Sequence, residues 1–415
     1  MSTAYKVPVD NSALAAEIQE LLDVVEAGNV ADMVLQRAFT HGATDVHLDP
    51  TASGMRIRFR VDGVLRDIIP IPKAKASTFV SRIKVLAGMD ITDKRLPQDG
   101  HVTSQRLDGV PRDIRVGSSP TIYGERLVLR MMPDPGQLTS LQSLGLLDDQ
   151  LRNVMHLLEA PYGLLLIVGP VGAGKTTTLY SLLKELNQPD RSVVTIEDPV
   201  ERRIPGANQI QIEPKSGLTF VKALRGVLRQ DPNVMCVGEI RDPETAQIAC
   251  RAAMTGVLVL STLHANDTAS AVEVLRQFGL PSMAITDALR GVISQRLVRR
   301  ICTDDREVQP VDDYVRDLMH LSHDGETPTI YRGIPTDNNF HTGYAGRIAV
   351  FETMPVTGGV RDAIRREKAA FEIRQVACDE GMLTLEDSAR RQVLAGVTSV
   401  DELKRVIVDT RMGTE

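Results

Sequence analysis

Tryptophan is absent from this chain, and aromatic residues make up only 4% of it. Little is available to stack unpaired bases, so nucleic acid is not the expected partner, although contact with a phosphate backbone needs no aromatics and stays open. Cysteine is scarce as well: Cys236, Cys250, Cys302 and Cys378 lie far apart and form no C-x-x-C pair. That argues against a disulfide framework and a thiolate zinc ribbon, and the expected compartment is the cytosol. No apolar run approaches the roughly 18 residues of a membrane span, and the opening MSTAYKVPVD has no basic segment followed by an apolar one. No transmembrane segment is expected, and any membrane association should run through partners.

What the chain does have is length and apolar material. At 415 residues and 42% hydrophobic content it can support two or three domains. The net charge of −6 is uneven: residues 1–29 carry −4, residues 30–135 carry +4 and the remainder carries −6. A basic middle suits phosphate or interdomain contacts; a chance division of surface charge is the other reading. Apolar spacing over residues 12–27 predicts a short leading helix, giving an extension over 1–29. Alternating runs such as MRIRFRV, with a helix near residues 77–87, predict a compact α+β domain over 30–133. Two prolines and two glycines in MMPDPGQLTSLQSLG predict a linker and hinge over 134–145. Beyond it, GLLLIVG, SVVTIE, NVMCVG and GVLVLSTL alternate with helical patterns. Strands apolar on both faces predict a parallel sheet with helices on each side, an α/β domain over 146–300. A C-terminal subdomain, mostly helical, is expected over 301–415.

The sharpest local signal is GPVGAGKTTTLY. Gly169, Gly174, Lys175 and Thr176 match G-x-x-x-x-G-K-T, directly after a buried strand and at the opening of a helix. Such a loop, here Gly169, Pro170, Gly172, Ala173, Gly174, Lys175, Thr176 and Thr177, wraps phosphates with backbone N–H groups. The helix dipole helps, Lys175 serves the β and γ phosphates, and Thr176 offers its hydroxyl to Mg²⁺. ATP and Mg²⁺ are the expected ligands.

Other strand ends of an open α/β sheet should lie beside this loop. SVVTIEDPVE delivers Glu197, and NVMCVGEIRD delivers Glu239. Many P-loop proteins have an Asp where Gly238 stands, so Mg²⁺ is expected to keep more water here, with Glu197 and Glu239 reaching it through water. Glu239 is the better candidate to orient the attacking water, with Glu197 helping; helix capping or loop charge is the alternative for both. His264, after GVLVLSTL, is a γ-phosphate sensor or a structural histidine. Arg225 and Arg229 share a helix face, and Arg241 follows Glu239. They neutralise phosphate, bridge subunits or simply remain solvated.

GPVGAGKTTTLY, TIEDPVE, LRQDPNVMCVGEIRDPETAQ, LSTLHAND and ISQRLVRRIC, in this order, make the chain resemble type II secretion system protein E and the related type IV pilus assembly ATPase. GATDVHLDP, IRFRVDGVLRD, SRIKVLAGMDITDKRLPQDG and YGERLVLRMM extend the likeness upstream, so that it covers residues 30–352. The resemblance implies a PAS-like domain, then a RecA-like P-loop ATPase domain, in a homohexameric motor that works with inner-membrane platform proteins at the cytoplasmic face. It implies catalytic roles for Glu197, Glu239 and His264, completed by Arg58, Arg225, Arg229 and Arg241. Lys73 stands where many members have a second upstream arginine, and it loses bidentate phosphate geometry.

Two departures stand out. Only residues 1–29 precede the shared region, where members commonly carry a further domain that docks on the platform. Members also often bind zinc through two C-x-x-C pairs, whereas this chain offers Cys302 and Asp305, then Thr336 and Asn339. No zinc site is expected, and that subdomain should be held by packing alone. The expected function is ATP hydrolysis that drives assembly of pilin-like subunits. A nucleotide-binding scaffold without turnover, or a retraction or DNA-translocating ATPase, are the alternatives.

Overall fold

The computed structural model describes residues 27–104, 112–132, 139–322 and 327–411. The helix expected over 12–27 lies almost wholly outside them, as does the first part of the expected linker. The chain divides into two compact units. The first comprises the described residues before Pro135 together with Cys302–Arg306 and Gly333–Gly346. Two segments of the expected C-terminal subdomain therefore pack with the first unit.

That unit runs α1 (Ala27–Thr40), β1 (Asp45–Thr51), β2 (Gly54–Val61), β3 (Val64–Pro72), α2 (Lys73–Leu86), β4 (Gln98–Ser104), β5 (Arg112–Thr121) and β6 (Gly124–Met131). Its sheet has the order β3-β2-β1-β6-β5-β4, antiparallel throughout. Strand β2 shows why it folds this way. In GMRIRFRV the period of two sends Met55, Ile57, Phe59 and Val61 to a buried face and Arg56, Arg58 and Arg60 to the other. The buried face shares one core with Val34 and Leu35 of α1 and Phe79 and Ile83 of α2. Asp62 and Gly63, both at positive φ, make the two-residue turn into β3, a conformation that Asp-Gly favours in a tight hairpin.

The four positions compared with zinc ligands meet within this first unit. Asp305 Oδ2 accepts hydrogen bonds from Thr336 Oγ1 (2.7 Å) and Asn339 Nδ2 (3.2 Å), with the Cys302 thiol at 3.7 Å. Asn339 Oδ1 in turn accepts the N–H groups of Thr336, Thr342 and Gly343 at 2.9–3.0 Å. Packing alone is thus not what holds these segments; a hydrogen-bonded hub does. A lone thiol, a carboxylate already taken by two donors, a hydroxyl and an amide do not fit a tetrahedral zinc site. Among the described residues no group of three or more Cys, His, Asp or Glu forms a metal cluster.

The second unit continues with α3 (Asp148–Leu158), β7 (Gly163–Val168), α4 (Lys175–Leu186), β8 (Val193–Glu197), β9 (Asn208–Gln211), α5 (Phe220–Val227), β10 (Val234–Val237), α6 (Pro243–Met254), β11 (Leu258–Leu263), α7 (Ser270–Gln277), α8 (Ser282–Ala288) and β12 (Leu289–Ile301). Then follow β13 (Arg306–Gln309), α9 (Asp313–Met319), β14 (Ile330–Gly333), β15 (Tyr344–Pro355), α10 (Gly358–Arg365), α11 (Ala370–Asp379), α12 (Leu385–Leu394) and α13 (Val400–Arg411). The region after 301 is therefore not helical alone. The main sheet has the order β15-β12-β7-β11-β10-β8-β9, parallel from β12 to β9. Alternate residues of β7 serve two cores: Leu164, Leu166 and Val168 join alanines of α6, while Leu165 and Ile167 join Leu179, Leu182 and Leu183 of α4. Helices on both faces account for strands without polar alternation. The parallel order brings the carboxyl ends of β7, β8, β10 and β11 to one edge, where ligands of open α/β sheets bind.

Candidate nucleotide site

Between β7 and α4 the loop turns on three glycines at positive φ: Gly169 (146°), Gly172 (79°) and Gly174 (87°). Gly169 has a second reason to lack a side chain, since a Cβ there would meet the Gln295 carbonyl oxygen at 2.8 Å. Gly174 caps α4, whose first residues are Lys175 and Thr176, so the helix N-terminus opens directly on the loop. The Lys175 ammonium donates to the carbonyls of Gly169 (2.7 Å) and Pro170 (3.0 Å). Burial brings its pKa down to about 8; nearby Glu239 opposes this and Arg296 adds to it.

Glu239, after β10, is mostly buried and pairs with the Arg241 guanidinium. Burial holds His264, after β11, below its ordinary pKa; the Lys175 and Arg241 charges act the same way, while Glu239 opposes them. At neutral pH this ring is uncharged. Lys175, Glu239, Arg241 and His264, from the three loops after β7, β10 and β11, are thus brought within electrostatic reach of one another. Gly238 packs under them: a Cβ there would lie 3.2 Å from the Ile196 carbonyl oxygen, and its own carbonyl accepts the Thr262 hydroxyl at 2.8 Å. This tight contact favours the smallest residue where other P-loop proteins carry an Asp.

Glu197 is placed differently. Its carboxylate is buried and accepts hydrogen bonds from the Tyr180 hydroxyl, from Thr195 Oγ1 (2.5 Å) and from Gln209 Nε2 (3.2 Å). Burial, then the hydrogen bond to Glu197, push the Tyr180 phenol up, so it remains a donor. The same phenol oxygen accepts the N–H groups of Glu201 and Arg202 at 3.2 Å. Tyr180, the last residue of the P-loop segment, therefore ties α4 to the chain beyond β8. The sequence reading assigned it no role.

The remaining basic candidates are dispersed. Arg225 forms an exposed ion pair with Glu244 (2.9 Å), and Arg229 is exposed beyond α5. Arg58 belongs to the first unit, where Asp49 holds it through both Nε and Nη2 at 2.8 Å. Asp49 also accepts from Arg126 Nε at 2.8 Å. Burial pushes the Asp49 carboxyl up, but the hydrogen bonds and charges of Arg126 and Arg58 outweigh it and hold it below the usual carboxylate range. Lys73 is the exposed first residue of α2. A further residue outside the sequence reading is Gln295 of β12, buried, whose Nε2 donates to the Ala173 carbonyl of the P-loop at 2.7 Å. The motif ISQRLVRR signalled that something lay there without saying what it touched.

A family model described as type II/IV secretion system protein matches residues 23–405. The type IV pilus assembly ATPase PilB of Thermus thermophilus is 40% identical over 383 residues, covering 92% of this chain and 43% of PilB. The type II secretion system ATPase E of Vibrio cholerae is 39% identical over 403 residues, covering 96% of this chain and 80% of that protein. The chain therefore spans less than half the length of PilB and most of the Vibrio relative. Among solved structures, the Legionella pneumophila ATPase DotB superposes with a TM-score of 0.68 at 23% identity, over 91% of this chain and 95% of DotB, a likeness of fold. The parallel sheet, the P-loop at its carboxyl edge and this likeness together identify the RecA-like ATPase fold. By sequence, over almost its whole length, the chain belongs to the type II/IV secretion system protein family.

Proposed function

We propose that this chain is an ATP-hydrolysing motor subunit that drives assembly of pilin-like subunits, in type II secretion or in type IV pilus biogenesis. The observation that carries the reading is the convergence of Lys175, Glu239, Arg241 and His264 beside a P-loop that opens a helix. The loop N–H groups and Lys175 hold the β and γ phosphates. Glu239, oriented by Arg241, positions the attacking water and takes its proton as the new P–O bond forms and the bond to the ADP oxygen breaks. Neutral His264 donates a hydrogen bond to the γ-phosphate side. Glu197, committed to Tyr180, Thr195 and Gln209, keeps the loop after β8 in place.

The residues present fit Mg²⁺: the Thr176 hydroxyl belongs to the first turn of α4 beside the phosphate loop, and Glu239 lies within electrostatic reach of neighbouring Lys175, a donor set suited to an ion that would retain several waters. When bound, Mg²⁺ neutralises charge on the phosphates. Exposed Arg225 and Arg229, and Arg58 of the first unit, suit phosphate or subunit contacts in a homo-oligomer. In this reading six copies assemble and work with inner-membrane platform proteins. No described helix is long and apolar enough to cross a membrane.

Phosphate release from ATP by the purified, assembled chain tests this reading. Tight ATP binding with no release, whatever the assembly state, would replace the motor with a nucleotide-binding scaffold. Deleting the gene and scoring secreted enzymes against surface pili distinguishes the two loads.

The low pKa of Lys175 makes a second expectation. Only the ammonium attracts phosphate, so the KM for ATP should be flat below pH 8 and rise as pH increases above it. The limiting slope is about tenfold per unit, because each unit above the pKa leaves about a tenth of the charged form. A KM that stays constant up to pH 9.5 would contradict it.

A further inference from the structure

Two buried charged side chains, on neighbouring strands at one side of the main sheet, hold the loop that follows His264. On β12, Arg296 is 4% exposed; its Nη2 donates to the Asn266 carbonyl at 2.7 Å and its Nη1 to the Gln295 carbonyl at 3.0 Å. That same Gln295 grips the P-loop through Ala173. On β15, Glu352 is fully buried, and its Oε1 accepts both the N–H (3.0 Å) and the hydroxyl (2.6 Å) of Thr268. Its other oxygen accepts the Leu385 N–H at 3.3 Å and lies 3.6 Å from the Arg374 guanidinium. Between these anchors, Asp267 accepts the N–H (2.7 Å) and the hydroxyl (2.6 Å) of Ser270, the first residue of α7.

Burying a guanidinium and a carboxylate is unfavourable unless each is well hydrogen-bonded. Here each commits one end of its side chain to one short stretch, Asn266 to Thr268, just after His264. From this we infer that Arg296 and Glu352 are positioning residues for ATP hydrolysis. They hold the His264 loop in register with the P-loop, Arg296 from the phosphate side and Glu352 from the side of α11 and α12. Arg296 suits this role through its fork. A lysine would keep the charge but could not donate from a rigid planar group to two carbonyls at once. Gln295 and Arg296, adjacent in sequence, thereby join the loops after β7 and β11 through a single strand. The inference deepens the proposed function and rests on His264 contributing to turnover.

The test is a double-mutant cycle in the full chain, read as kcat and KM for ATP. Arg296→Lys is expected to lower kcat about tenfold, a misplacement effect, with KM within about twofold, because the charge near Lys175 persists. His264→Ala should also lower kcat. In the double variant, Arg296→Lys should then cost little more than His264→Ala alone, since the residue it positions is gone. Unchanged kcat in Arg296→Lys overturns the inference, and so does a double variant in which the two effects multiply. Unchanged kcat in His264→Ala overturns instead the role of His264, and the inference with it. If a melting curve shows Arg296→Lys unfolded, Glu352→Gln takes its place with the same outcomes. A single amide oxygen cannot serve both Thr268 and Leu385.

Discussion

Glu239→Gln is expected to bind ATP about as well as the parent chain and to turn it over about 10²- to 10⁴-fold more slowly. The substitution keeps size and hydrogen-bonding shape but removes the proton acceptor. The fold relies little on the charge: Glu239 sits at a loop after β10, mostly buried, and its ion pair is with Arg241, which is 65% exposed. Loss of an exposed partner's pairing costs little stability, so melting temperature should barely move. Stopped or single-turnover release of phosphate, alongside equilibrium ATP binding, separates the two quantities. Parent-like turnover would remove Glu239 from the mechanism and return attention to Glu197. That residue starts at a disadvantage, because Tyr180, Thr195 and Gln209 already occupy its oxygens.

Lys175→Ala should fail at the earlier step. Truncating one member of a buried, charge-assisted pair costs about 2–5 kcal/mol, which is about 30- to several-thousand-fold in nucleotide affinity. A partly folded variant would give the same loss, so stability must be read with it. In the free protein the ammonium is held at about 8, below its value in an unfolded chain. The folded state therefore binds that proton less tightly, and below pH 8 burying the charge disfavours folding; the penalty fades as pH rises from 8 toward the unfolded value. Removing Lys175 removes this penalty. The variant should melt no lower than the parent at pH 7 while losing ATP binding. A clear fall in melting temperature, or binding within a few-fold of the parent, would contradict the argument.

How much of this was legible beforehand follows from the range of the interactions involved. The P-loop, the helix Lys175–Leu186 and the helix Pro243–Met254 are local: a buried run, glycines that reach positive φ, and a capping Asp242 ahead of Pro243 sit side by side in the chain. The hydrophobic runs without polar alternation announced a sheet covered on both faces, because only a strand buried twice can be apolar throughout. Glu239 is expected at the edge near Lys175 for the same topological reason, since parallel strands share one carboxyl edge, and it lies within electrostatic reach of Lys175.

What could not be read was which polar groups are consumed elsewhere. Glu197 and Glu239 look alike at two strand ends, yet Tyr180, 17 residues earlier, turns the first inward. Asp305 resembles half of a broken metal site until Thr336 and Asn339, more than 30 residues later, are seen to donate to it. Arg296 lies in the motif ISQRLVRR, which names no partner for it, and Glu352 stands out in no local pattern; their partners at Asn266 and Thr268 are 30 and 84 residues away.

Sequence by itself thus determined that this chain holds a phosphate loop at the carboxyl edge of a parallel sheet, with carboxylates at neighbouring strand ends, because local periodicity, glycine conformation and strand direction suffice for that. Tertiary structure alone decided which carboxylate is taken up by buried neighbours and which buried charges hold the loops around the site. Hydrogen bonding of buried groups depends on partners that the chain brings together only once it has folded.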